Sequence, residues 1–161
     1  MTRKLHWFLG GSVLLLAFGC VAALSDSSGD VFPVVFQERS NDCGLAALAT
    51  LAQTLGRPVE LQTLAQEVDV PEEGLSMLAL QELAALHAIE LHGFRVPRQE
   101  ALRLATPWIA HLQDRRDGHF VVVQKVSAAG MTISDPAAGV RRVPVRQFMS
   151  LWSGRALVIL R

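Results

Sequence analysis

The sequence predicts an α+β domain, with helices in its first half and antiparallel strands in its second. Between residues 43 and 87 apolar residues recur at helical spacing, and after Gly93 β-rich runs alternate with tight turns. From 43 to 55 alanines and leucines keep the helical period until Gly56-Arg57-Pro58 stops it. A short second helix puts Leu61, Leu64, Ala65 and Val68 on one apolar face, and Pro71-Glu72-Glu73-Gly74 turns the chain. Ser76 caps a third helix running to residue 87, which offers Leu80, Leu83, Ala84 and Leu86 to the core.

The second half reads as a strand at 89–96, a short helix at 97–104 and a buried strand at 107–112 entered through Pro107. Residues 114–118 form a polar turn. Strands at 119–126, 131–134 and 140–145 follow, then a short helix at 146–151 and a last strand at 156–160. Trp108 and Trp152 are expected in the core.

The chain has 161 residues, 50% of them hydrophobic, enough for one core once the first two dozen residues are set aside. Those residues have the secretory pattern. Arg3 and Lys4 form a basic head, an apolar run covers 7–24, and a small polar stretch covers 25–30. Residues 1–24 are therefore expected to be a signal peptide or an N-terminal membrane anchor, 25–30 a linker and 31–161 the folded domain. The apolar run lies near the lower limit for spanning a bilayer. Leu16-Ala17-Phe18-Gly19 partly resembles a bacterial lipobox, which makes a lipid anchor at Cys20 the third alternative. Each predicts export, to the periplasm or the outer face of the inner membrane, with membrane contact only through this segment. Setting aside Arg3 and Lys4 leaves a net charge of minus two, so no basic surface invites nucleic acid, and there is no glycine-rich phosphate loop.

The chemistry concentrates in Gln37-Glu38-Arg39-Ser40-Asn41-Asp42-Cys43-Gly44-Leu45-Ala46-Ala47-Leu48. Cys43 falls in the first turn of a helix, where unpaired backbone N–H groups favour a thiolate and can receive an oxyanion. Asp42 is placed to cap that helix. A nucleophilic cysteine needs a base, and the base needs an orienting group. His119 opens the β-rich run His119-Phe120-Val121-Val122-Val123, and Asp135 closes Met131-Thr132-Ile133-Ser134-Asp135, with Ala128-Ala129-Gly130 as a hairpin turn between them. An imidazole at the start of one strand and a carboxylate at the end of its neighbour can lie side by side. The plainer alternative is a cysteine packed as a small apolar residue. Cys43 has no disulfide partner within the domain, and no second cysteine or closely spaced histidine pair supports a metal. His87, His92 and His111 read as ordinary surface or core histidines.

Four separated pieces carry a resemblance: Gln37 with Asp42-Cys43-Gly44-Leu45-Ala46-Ala47-Leu48, then Gly118-His119-Phe120-Val121-Val122, Ser134-Asp135-Pro136-Ala137-Ala138-Gly139, and Phe148-Met149-Ser150-Leu151-Trp152-Ser153-Gly154. In order and spacing they resemble the C39 peptidases, which trim leader peptides after a double-glycine-type motif during bacteriocin and peptide export. The resemblance implies a papain-like fold in which Cys43 attacks, His119 is the base, Asp135 orients it and Gln37 completes the oxyanion hole. It implies a leader-bearing peptide or protein substrate, a secretion system as partner and no cofactor. Arg115-Arg116 and Arg141-Arg142 read as solvated turn charges, with a grip on an acidic leader as the alternative. The best-known members are the N-terminal domains of export transporters; without membrane helices or an ATPase, this sequence reads as a stand-alone, exported member. Two other readings stay open. One is another exported acyl-transfer enzyme, such as a peptidoglycan peptidase or transpeptidase. The other is a non-catalytic leader-binding accessory of a secretion system.

Overall fold

The computed structural model describes residues 30–113 and 118–160. The expected signal segment 1–24, most of the 25–30 linker and the polar turn at 114–117 lie outside the described residues. The alanine- and leucine-rich run forms α1 (Cys43–Thr54), buried on all sides from Gly44 to Ala52 and therefore the central helix of its layer. Gly56, at φ +72°, ends it in the left-handed region that a side chain disfavours. The other two helices of this layer are α2 (Leu61–Glu67) and α3 (Met77–Leu86). Ser76 caps α3 as expected, its hydroxyl accepting from the Ala79 N–H at 3.1 Å. Leu86 departs from expectation: it is 70% exposed. As the last residue of α3 it has turned off the Leu80–Leu83–Ala84 face that packs inward.

The strands are β1 (His92–Arg95), β2 (Trp108–Leu112), β3 (His119–Ser127), β4 (Gly130–Asp135), β5 (Gly139–Val143) and β6 (Trp152–Val158), with α4 (Val145–Leu151) between the last two. They form one antiparallel sheet in the order β1-β6-β2-β3-β4-β5. Three boundaries differ from the sequence reading. The first strand is only four residues long, residues 97–104 yield one 3-10 turn (Ala101–Arg103), and β6 begins at Trp152. β6 inserts between β1 and β2, and Leu112↔Trp152 and Arg95↔Arg155 set where its pairing starts and stops.

Strand alternation divides the core in two. Ile109, Phe120, Val122 and Leu157 join the helices α1 to α3, whereas Trp108, Val121, Ile133, Ala156 and Phe148 of α4 pack on the opposite face. Trp108 meets Phe148 edge-on at 6.2 Å and Trp152 at 5.7 Å, so both tryptophans are core residues. Residues 33–37 form no helix or strand but are strapped across both layers. The Val35 N–H donates to Thr50 Oγ1 of α1 at 2.8 Å, and Ser134 Oγ of β4 donates to the Pro33 carbonyl at 2.7 Å. Among the described residues no helix is long and apolar enough to cross a membrane.

Candidate active site

Cys43 is the first residue of α1, a free, half-buried thiol at the helix N-terminus. The helix reaches the sheet closely there because Gly44 has no side chain: a Cβ at that position would lie 3.2 Å from Leu80 Cδ1 and 3.4 Å from Phe120 Cδ2. Asp42 does not cap α1 as expected. Its Oδ2 accepts from the backbone N–H groups of Glu38 at 3.2 Å and Arg39 at 3.0 Å, and no side-chain cap bond is made. The carboxylate thus closes the 38–42 turn and leaves the first N–H groups of α1 without an internal acceptor, available beside the Cys43 thiol.

That turn also carries Gln37, whose backbone N–H donates to Pro136 O at 3.0 Å, just past the end of β4. The Gln37 Nε2 donates one hydrogen to Arg39 O at 2.8 Å, while Oε1 is buried without a partner. This bond fixes the amide orientation, because the flipped amide would set two carbonyl oxygens against each other. It leaves the second Nε2 hydrogen free to donate.

His119 opens β3 and Asp135 closes β4. The ladder between them runs from Ser127↔Gly130 at the hairpin turn to Val122↔Ser134, and both residues lie just beyond its open end. There His119 Nε2 meets Asp135 Oδ1 at 2.8 Å. Asp135 Oδ1 also accepts from the Ala137 N–H at 2.9 Å, and Oδ2 from Arg141 at 2.6 Å. Burial opposes ionisation of Asp135, but the hydrogen bond from His119, then those from Ala137 and Arg141, hold its carboxyl well below the usual carboxylate range. For His119, burial works against the charged ring. The Asp135 hydrogen bond, and after it the neighbouring Cys43 sulfur, outweigh burial and raise the imidazole to about 9. The other ring nitrogen, Nδ1, is buried without a hydrogen-bond partner and so is left for the sulfur.

The structure thus gathers Cys43, His119 and Asp135, and ties Gln37 to the turn that follows Asp135. Arg141 corrects the sequence reading: it is not a turn charge but a β5 residue bound to Asp135. No local signal marks it, since only the pairing Ile133↔Arg141 brings it beside the carboxylate. His87 and His92 pair at the surface with Glu67 and Glu90. Among the described residues no cluster of three or more His, Cys, Asp or Glu could hold a metal.

A cavity of about 100 Å³ lies beside Cys43, walled by Gly74 and Leu75 on one side and Gly118 and Phe120 on the other. Gly118 has φ +81°, and His111 fills the space a side chain would need. The Asn41 side chain holds the opposite wall by donating to Pro71 O at 2.8 Å. The same Gly74, Leu75 and Phe120 also border a cavity of about 550 Å³ that adds Val68, Met77 and Arg155.

Comparison with known proteins identifies the fold and the family. The chain is 28% identical over 135 residues to the probable functional amyloid protease FapD of Pseudomonas aeruginosa, a match that covers 79% of this chain. The chain spans only 60% of the length of that relative. Among solved structures, a double glycine motif protease from an AMS/PCAT transporter, crystallised with the leader peptide, superposes with a TM-score of 0.73 at 26% identity, covering 80% of this chain and 90% of that one. The peptidase domain of Streptococcus ComA, a bi-functional ABC transporter of a quorum-sensing pathway, gives 0.73 at 25% identity over 81% of this chain and all of that domain. The Peptidase C39 family model matches residues 31–161, and the chain belongs to that family.

Proposed function

We propose that this chain is a cysteine endopeptidase that cleaves the leader of an exported peptide or protein after a Gly-Gly-type motif. The observation that carries the reading is the buried His119, bonded through Nε2 to Asp135 and open through Nδ1 beside Cys43 at the head of α1. Asp135 is anionic and can only accept, so His119 keeps its hydrogen on Nε2 and, when neutral, presents the Nδ1 lone pair to the thiol. His119 takes the Cys43 proton, and the thiolate attacks the substrate carbonyl. The free Gln37 Nε2 hydrogen and the Cys43 backbone N–H donate to the developing oxyanion. The imidazolium then protonates the leaving amine, and a water deprotonated by the same ring releases the acyl fragment.

The small cavity beside Cys43, about 100 Å³ and lined in part by Gly74 and Gly118, supports a small residue before the cut. The larger, mainly apolar cavity supports docking of an apolar leader face. By its likeness to the Pseudomonas amyloid protease, an exported amyloid-forming protein is one substrate class, alongside bacteriocin-like peptides. The purified protein is expected to cut a leader peptide ending in Gly-Gly or Gly-Ala, and to lose that cleavage when a bulky residue precedes the cut. Cys43→Ala is expected to bind the leader uncut. Equal cleavage of both peptides, or hydrolysis of cell-wall peptides alone, would replace this reading with the acyl-transfer alternative.

The site of action we propose is outside the cytoplasm, on the strength of the basic head and apolar run before Ser25. An alkaline phosphatase fused after Asp30 should be active; an inactive fusion in the cytosol would overturn the proposal.

A further inference from the structure

Asp135 is buried, its side chain 3% exposed, while the Arg141 side chain that binds it is 43% exposed. The two carboxylate oxygens are divided between different tasks. Oδ1 carries the bonds from His119 of β3 and from the Ala137 N–H in the turn after β4, whereas Oδ2 is held by Arg141 from the edge strand β5. Two bonds to one oxygen leave the carboxylate free to rock about its Cβ–Cγ bond. The third, on the other oxygen, stops that rotation and directs the Oδ1 lone pair at the ring. Removing Arg141 would also leave a buried oxygen unsatisfied.

We infer that Arg141 is a positioning residue of the site, acting through Asp135 to hold the His119 ring toward Cys43. The inference rests on the catalytic roles proposed above and assigns one more residue to them. Charged groups reach His119 from two sides. Cys43 comes from the helix layer and Asp135 from β4, while on the β2 side its partner is the apolar Leu112. Arg141 is thus the outermost link of a line running from β5 through β4 to β3 and α1. Its guanidinium has two opposing effects on the ring. By direct repulsion it disfavours imidazolium, and by orienting Asp135 it favours it, so its loss changes the ring's environment in either direction.

The test uses the full chain and the variants Arg141→Met and Arg141→Lys, with three readouts. In Arg141→Met, kcat on a Gly-Gly leader peptide should fall roughly 10- to 100-fold, the rate equivalent of one lost hydrogen bond to a charged group, with KM within about twofold. Iodoacetamide alkylation of Cys43 should slow in parallel. The NMR titration midpoint of the His119 ring, raised in the wild type, should shift measurably. Arg141→Lys, which keeps a cation in reach of Oδ2, should restore most of all three. Unchanged kcat and alkylation in folded Arg141→Met, an unmoved midpoint, or failure of the lysine variant to rescue would each overturn the inference. Alkylation and titration need no substrate. A wild type whose Cys43 alkylates no faster than a model thiol would instead defeat the nucleophile assignment itself.

Discussion

The helical and sheet halves of this domain hold their parts of the site by different means. Cys43 is half-buried and positioned by main chain, as the first residue of a helix whose other side is packed tight. His119 and Asp135 are positioned by side chains, in a buried, charged line that ends at Arg141. On the proposed roles, a nucleophile must meet its substrate and so stands at an edge, whereas a base that must stay in one tautomer is enclosed. The contrast predicts that the same loss of activity carries very different structural costs in the two halves.

The largest difference should appear between Cys43→Ala and Asp135→Ala. Both should lose activity, the first completely and the second by roughly 10⁴-fold, as when a base loses its orienting carboxylate. Cys43→Ala should change stability by less than about 1 kcal/mol. Asp135→Ala should cost about 3–5 kcal/mol, because it leaves His119 buried without its counter-charge and strips Arg141 of its partner. Urea unfolding of both variants measures this directly, and equal costs would remove the distinction between the halves.

Gln37→Ala lies between these extremes, since its side chain is fixed to Arg39 O yet leaves one hydrogen free. It should reduce kcat roughly 10²- to 10³-fold, the usual effect of one lost oxyanion donor. A normal melting temperature would place Gln37 with the main-chain-held half; a large drop in stability would place it with the sheet.

The smallest effect is the pH dependence of the buried pair. His119 is raised to about 9 in the folded protein, so its contribution to stability is complete below its ordinary 6.5 and lost as pH rises through about 9. Asp135, held low, contributes above its ordinary 3.8 and loses that contribution only as pH falls below it. Wild-type Tm should therefore decline between pH 7 and 10 by more than that of His119→Gln, with kcat/KM falling over the same alkaline range. Parallel declines in the two proteins would show that His119 does not titrate there.

Local patterns made much of this legible. The period of α1, the Ser76 cap, the tight turn before Gly130 and the positions of Cys43, His119 and Asp135 at element ends are all written in short stretches of sequence. What escaped depends on local competition for a side chain and on strand register. Asp42 looks like a helix cap by spacing, but its carboxylate has two N–H groups of the preceding turn closer to hand. Arg141 looks like a solvated charge until β4 and β5 come into register, and β6 starts early because β2 offers it a partner at Leu112. Leu86 has helical spacing but sits one turn too late to face the sheet.

The bond from the Gln37 N–H to Pro136 O also fixes when the site can come into being. Gln37 and Cys43 are made early, whereas His119, Asp135, Pro136 and Arg141 all belong to the last third of the chain. Contacts between such distant segments form only once the intervening chain is synthesised and folded. A nascent or unfolded molecule consequently carries an unassisted thiol, and proteolytic competence arrives with the closing strands, when little of the chain is left exposed to its own cleavage.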